Sequence, residues 1–296
     1  MTNTLHPSFS EYTTESGLQS DVGSHGKDGQ LNLVFKMTSD RTRLMHDFAQ
    51  GPFHISGEVG SDPHDKCSSV CIQSSSGGVV QGDRRNINIE VQEDAVAHVG
   101  TQSATNVHSM ANNYASTTTE LKVDSNGHLD YFPEPTILYS NSRYHQSTEL
   151  LLKKGATAII GDVVVPGRLS RGEWFDFDRY YSSLECRGPD GLLFATKENY
   201  GPNDDPTNSA VLNEYSVYGC LFVGVPSADP TEIYDWADKS TDVDVLVETT
   251  SLRNEAGVVV RALGHQSYQV TNALRAAWKP ARESAISASP PDNKTY

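Results

Sequence analysis

The chain has 296 residues, with 38 acidic against 23 basic side chains and a net charge of −15. That balance argues against nucleic acid or anionic membrane as a partner, because phosphate binding needs clustered Lys and Arg. No apolar run reaches the roughly 18 residues that suggest a membrane-spanning helix, and four cysteines do not make a disulfide framework in a chain of this size.

A chain this long buries about three quarters of its unfolded surface and needs neither disulfides nor metal to fold. Residues 1–28 are polar, rich in Ser, Thr and Gly, and without periodicity, which predicts a flexible lead-in. The start also lacks the basic and apolar segments of a secretory signal, so a reducing cytoplasm is the expected compartment. The body is expected over 29–283. Its first strand falls at 31–35, and the turn at Gly51-Pro52 leads into a second strand beginning at Phe53.

The densest stretch is 76–103. It opens on Gly77 and Gly78, reaches Gly82 and Asp83, then carries two alternating patterns, Ile87/Ile89/Val91 and Ala95/Ala97/Val99. The polar turn Gln92-Glu93-Asp94 joins them, and the stretch closes on Thr101 and Gln102. Period-2 alternation bounded by turn residues reads as a half-buried hairpin.

Four segments between Asn86 and Tyr200 repeat this pattern, with Val91, Val123, Leu152 and Cys186 at the second apolar position, 32, 29 and 34 residues apart. Few helical segments fit between them. The fold expected is therefore mainly β, stacked hairpins in a helicoid or solenoid-like body. Two or three short helices join it. One is a weak candidate at 104–115, and another starts at Asp229-Pro230 with Glu232 in its first turn. The strongest is an amphipathic C-terminal helix over 267–279, with Val270, Leu274 and Trp278 on one face and Pro280 as its stop. That face is either core or a docking surface for a partner. Residues 284–296, with Pro290-Pro291, are expected to be disordered.

Phosphate-binding loops, dinucleotide fingerprints, nucleophile elbows and zinc-protease helices are all missing from the sequence. His64, Cys67 and Cys71 offer soft N/S ligands for a metal, but Cys-x3-Cys with no second pair is weak, and Cys71 also fits as a small apolar strand residue. Asp83, Glu134 and Glu173 each adjoin Gly or Pro at turns. Such carboxylates cap backbone N–H groups or, converging in a wet interior, pass a hydrated divalent cation. Arg168 and Arg171, in the 167–173 loop, either recognise an anion or pair with a nearby carboxylate.

Five of these stretches, in order, resemble the urease accessory protein D family (UreD/UreH). They are Ser-Gly-Gly-Val-Val-Gln-Gly-Asp at 76–83, Thr-Gln-Ser-Ala-Thr at 101–105, Pro-Glu-Pro-Thr-Ile at 133–137, Gly167-Arg168 with Gly172-Glu173, and Val-Val-Arg-Ala-Leu at 259–263. The resemblance implies a non-catalytic factor in assembling the nickel centre of urease. It implies binding to the urease structural subunits and to accessory protein F, which recruits the GTPase accessory protein G. It also implies a helicoid β body and a water-filled tunnel, with no tightly bound cofactor and nickel only in transit. On that reading Asp83, Glu134 and Glu173 mark the nickel path and Arg168 holds its loop. The sequence departs from the family pattern at Gln81, Asn106 and the Pro133-Glu134-Pro135 run. A metalloenzyme using His64, Cys67 and Cys71, or a solenoid module binding a polymer, are the alternatives.

The acidic excess also suggests adaptation to high salt, which screens self-repulsion among surface carboxylates. Dialysis into low salt should then unfold the protein, followed by far-UV circular dichroism; full retention of the folded signal would remove the idea.

Overall fold

The computed structural model describes residues 5–13, 27–59, 62–208, 211–239 and 244–291. A 3-10 turn over Pro7–Phe9 and the single-turn α1 (Ser10–Thr13) come first. β1 (Asp28–Met37), β2 (Thr42–Gln50), β3 (Phe53–Val59) and β4 (Cys67–Ser74) follow. The middle consists of β5 (Arg84–Val91), β6 (Val96–Thr101), β7 (Thr105–Val107), β8 (Ala115–Val123), β9 (His128–Phe132), β10 (Thr136–Leu138), β11 (Arg143–Leu152) and β12 (Thr157–Val165). The chain finishes with β13 (Arg179–Gly188), β14 (Gly191–Tyr200), β15 (Val217–Gly224), α2 (Pro230–Lys239), β16 (Leu246–Ser251), β17 (Val258–Gly264) and α3 (Ser267–Ile286).

The strands sort into two sheets. One runs β14-β13-β11-β8-β5-β1-β2; the other runs β16-β17-β15-β12-β9-β6-β4-β3, with β7 and β10 alongside. The mainly-β, solenoid-like body is as expected, but its repeating unit is an arch. The two arms of each unit, β5 and β6, β8 and β9, β11 and β12, lie in different sheets, and each arm pairs in parallel with its equivalent in the next unit. Period-2 alternation marks a strand with one apolar face, and that face looks the same whether the arms pair with each other or enclose a core between them. At 76–103, therefore, the pattern reads correctly as two strands and incorrectly as a hairpin.

Each arch turns on a residue with positive φ: Asp94 at 59°, Asn126 at 57° and Gly155 at 73°. Asp, Asn and Gly are the types that tolerate this conformation. The turns stack as well, the Asp94 N–H donating to Ser125 O at 3.1 Å and the Asn126 N–H to Lys154 O at 3.3 Å. Val91, Val123 and Leu152 sit in register across β5, β8 and β11, as their spacing predicts. Cys186 does not; it aligns with Leu150. The fourth unit is a true antiparallel hairpin, β13 with β14, broken by a register shift after Cys186.

Between the sheets lies an apolar core built from Leu33, Ile89, Leu121 and Leu150 on one side and Val99, Leu129, Ala158 and Phe222 on the other. The outer face of the larger sheet is also apolar, and α2 and α3 cover it. Val270, Leu274 and Trp278 are buried here against Val163, Leu221 and Val260, so this face is core and not a docking surface for a partner. α3 runs through Pro280 to Ile286 and stops at Ser287, whose φ of 56° cannot continue a helix. Proline inside a helix loses one backbone donor, and the surrounding packing of this buried ring tolerates that loss. Residues 284–286, expected to be disordered, are thus helical. The 104–115 segment is not a helix, because 105–107 pairs as a strand with β10. At the other end Phe9 is fully buried beside Tyr12 and Tyr181, so 5–13 fold onto the body; residues 1–4 and 14–26 of the expected lead-in lie outside the described residues.

Arg282 fixes α3 to the body. Its Nε donates to Asp130 at 2.6 Å, its Nη2 to both oxygens of Asp62 at 2.8 and 2.9 Å, and its Nη1 to Ser289 O. The Trp278 Nε1–H donates to the other Asp130 oxygen at 2.8 Å. Burial would raise the Asp130 carboxyl, but His128 and Arg282 beside it hold it well below the usual carboxylate range. Breaking a buried pair from one side strands the other charge, so Arg282→Met should lower unfolding stability by about 3–5 kcal/mol in denaturant titrations. A loss under about 1 kcal/mol, the range of a surface pair, would contradict this clamp.

His98, against Trp278, is pushed down to about 4 by burial. The unfolded imidazole takes a proton near pH 6.5 and the folded one only near 4, so its contribution is complete above 6.5 and is lost as pH falls through that window. Stability should therefore drop between pH 6.5 and 4, and His98→Gln should flatten the slope.

Candidate functional site

In-register stacking lines up like positions into rows that cross the sheets. In the smaller sheet Arg85, Thr117, Gln146, Ser182 and Glu198 are successive partners on β5, β8, β11, β13 and β14. Two residues along, Thr119, Thr148 and Thr196 continue the polarity, with Leu184 among them. In the larger sheet Asp162, Cys220 and Arg261 are partners on β12, β15 and β17. All of these line one cavity of about 300 Å³ between the sheets. A β-sandwich interior is ordinarily apolar; a run of hydroxyl, amide and carboxylate groups across it must be satisfied by water.

Toward β4 and β5 the cavity is bounded by Ser74, Ser76, Gly77 and Gly78 and by residues 103–106. Gly78 is required there: its φ is 150°, and a Cβ would sit 2.3 Å from Asn106 O. At the opposite side the exposed Arg261 closes the row. Asp162 is pushed up to about 7, first by burial and then by the charge of Glu198. Glu198 is likewise raised by burial, although the Tyr218 hydroxyl donates to it at 2.8 Å. Burial pushes the Cys220 thiol up to about 12, so it stays protonated and a poor metal ligand.

The residues singled out from sequence fall in several places. Glu134 lines the cavity and pairs with Arg275 of α3 at 2.7 Å, and its N–H donates to Thr101 Oγ1 at 2.8 Å. Asp83 does not line it. Its carboxylate caps a turn, accepting from the N–H groups of Lys27 at 2.9 Å and Val80 at 3.1 Å, and lies 3.6 Å from Arg85, which does line the cavity. Glu173 is also outside, held by a two-pronged pair with Arg168, which lies over the Tyr139 ring. Gly167 and Gly172 supply the positive-φ positions of the 167–173 loop, Gly82 donates to Tyr114 O, and Gln102 is exposed.

Cys67 and Cys71 are buried in β4, and Arg282 Nη2 lies 3.8 Å from the Cys67 sulfur. Among the described residues no group of three or more His, Cys, Asp or Glu is placed to hold a metal. Sequence reasoning missed Asp162 and Glu198. The signal for Asp162 was a carboxylate inside the otherwise apolar run at 158–165, a strand too apolar to be solvated on either face.

Comparison with known proteins adds a family to this geometry. A family model described as UreD urease accessory protein matches residues 27–295. A urease accessory protein UreD from Haloarcula marismortui is 50% identical over 293 residues, 98% of each chain. One from Haloquadratum walsbyi is 40% identical over 98% of this chain and 96% of its own. A urease accessory protein UreD 2 from Brucella canis is 32% identical over 93% of each. The chain is a member of the UreD family of urease accessory proteins.

Proposed function

We propose that the chain is a non-catalytic scaffold of urease maturation that lets nickel reach the urease apoprotein through the polar cavity between its sheets. The observation that carries this reading is the pair of facing polar rows, which make a hydrated path of oxygen donors. A cation in transit needs weak contacts: a closed cage of soft ligands would trap it, whereas hydroxyls, amides and scattered carboxyl groups let it pass. The partners in this reading are the urease structural subunits and accessory protein F, with the GTPase accessory protein G supplying nickel, in the cytoplasm.

Co-expression of urease subunits with accessory proteins F and G, with and without this chain, tests the assignment. Nickel-dependent urease activity should be lost when the chain is omitted; unchanged activity would end the proposal. Single substitutions separate path from scaffold. Glu134→Ala should leave complex formation intact and reduce activation several-fold. Asp83→Ala and Glu173→Ala should act through folding, Asp83→Ala costing about 1–3 kcal/mol because two N–H groups lose their buried acceptor, and Glu173→Ala less, because its pair with Arg168 is partly exposed. Co-purification alongside thermal melts distinguishes the two classes.

A further inference from the structure

β11 and β13 turn Gln146 and Ser182 into the cavity, so by alternation Arg143, His145, Arg179 and Tyr181 stand on the outer face of the smaller sheet. Arg143 and Arg179 are direct partners across these two strands, as are His145 and Tyr181. Like charges side by side on a sheet are destabilising, and natural sequences keep such departures mainly at functional sites. The Arg143 Nε–H donates to Asp178 at 2.8 Å, whereas the buried Nε–H of Arg179 has no acceptor among the described residues.

Residues 5–13 cover this patch. The His6 ring stacks on Tyr181 with centroids 4.3 Å apart, Phe9 meets His145 and Tyr114 edge-on at 5.4 Å each, and the Arg143 guanidinium lies 4.4 Å over the Tyr12 ring. Two polar contacts to the sheet are long: the His6 N–H donates to His145 Nε2 and the Ser8 hydroxyl to Asn199 Oδ1, both at 3.3 Å. The cover carries a single carboxylate, Glu11. Phe9, Tyr12 and Tyr181 make a small apolar cluster of their own, apart from the three that build the body, so the body keeps its core without the cover.

We propose that residues 5–13 are a displaceable cover, and that the surface beneath them takes an acidic segment carrying aromatic residues from a partner protein. Rings of the incoming segment replace those of Phe9 and Tyr12 against His145 and Tyr181. Its carboxylates replace the cation–π contact at Arg143 and reach the unfilled donor of Arg179, a stronger and more directional engagement of a guanidinium than a ring face gives. A second copy of residues 5–13 fits the surface no better than the cover already in place, which is tethered at an effective concentration on the order of millimolar. A segment richer in carboxylates is therefore the occupant that can compete. The surface lies on the opposite face of the smaller sheet from the cavity, so its use does not depend on the cation route.

The test is fluorescence anisotropy with two labelled peptides: residues 4–14 of this chain, and the same peptide carrying Ser10→Glu and Thr13→Glu. Each is titrated into the full-length protein and into a full-length Phe9→Ser, Tyr12→Ser variant, whose cover has lost both anchoring rings. Both peptides should bind the variant, the more acidic one about tenfold more tightly at low salt, with the preference shrinking as salt rises. Binding to the parent should be roughly tenfold weaker or more, the handicap that a tethered competitor imposes. Adding Arg143→Gln and Arg179→Gln to the variant should remove the preference for the acidic peptide. Hydrogen exchange on the parent needs no variant: the acidic peptide at saturation should speed exchange at Phe9, whose N–H is held by His6 O at 2.9 Å. No binding to a folded variant, equal binding to variant and parent, no acidic preference, or unchanged exchange at Phe9 would each overturn the proposal. Dimerisation of the variant in sedimentation velocity, in place of peptide binding, would give the surface to a second copy and overturn the partner.

Discussion

In-register parallel stacking is the constraint on which the rest of this structure depends. Once one arch is placed on another, every position along a strand acquires the equivalent position of the next arch as its neighbour, about 4.8 Å away. Chemistry then comes in rows. An apolar position becomes an apolar row, as Leu121, Leu150 and Cys186 show. A polar position becomes a polar row, as Arg85, Thr117, Gln146 and Ser182 show, and the antiparallel β14 extends it with Glu198. The cavity is the consequence of two polar rows meeting face to face, so a path across the body needs no separate device.

The same stacking imposes costs that other elements meet. A large sheet with two apolar faces needs a cover, and α2 and α3 provide it. The cover is fixed by buried charge at Arg282, Asp62 and Asp130 as well as by apolar contact. These charges lie on the far side of the larger sheet from the cavity. The body therefore keeps a tightly paired electrostatic cluster, which anchors, apart from Asp162 and Glu198, which line the cavity.

Much of this was legible in the sequence and some was not, for definite reasons. Strands, turns and the register of Val91, Val123 and Leu152 follow from alternation and from turn residues that tolerate positive φ. Arch and hairpin share one pattern, so partner choice was invisible. Pro280 read as a stop because local propensity cannot see that packing holds the helix through it. Asp83 and Glu173 drew attention as carboxylates at turns, and the structure gives them the ordinary work of such residues, capping backbone and pairing with arginine. Asp162 and Glu198 were overlooked because each sits within a strand and not in a turn or motif, and their shared cavity depends on which strands are neighbours.

The central claim is that the space between the sheets is the functional path, and filling that space tests it most directly. Ser182 lines the cavity, so Ser182→Phe places a ring inside it, at a cost of about 1–3 kcal/mol for overpacking. Nickel-dependent urease activation would be measured for this variant once melting and co-purification show it folded and bound to its partners. The account predicts an assembled complex with activation largely lost. An assembled complex with unchanged activation would contradict it.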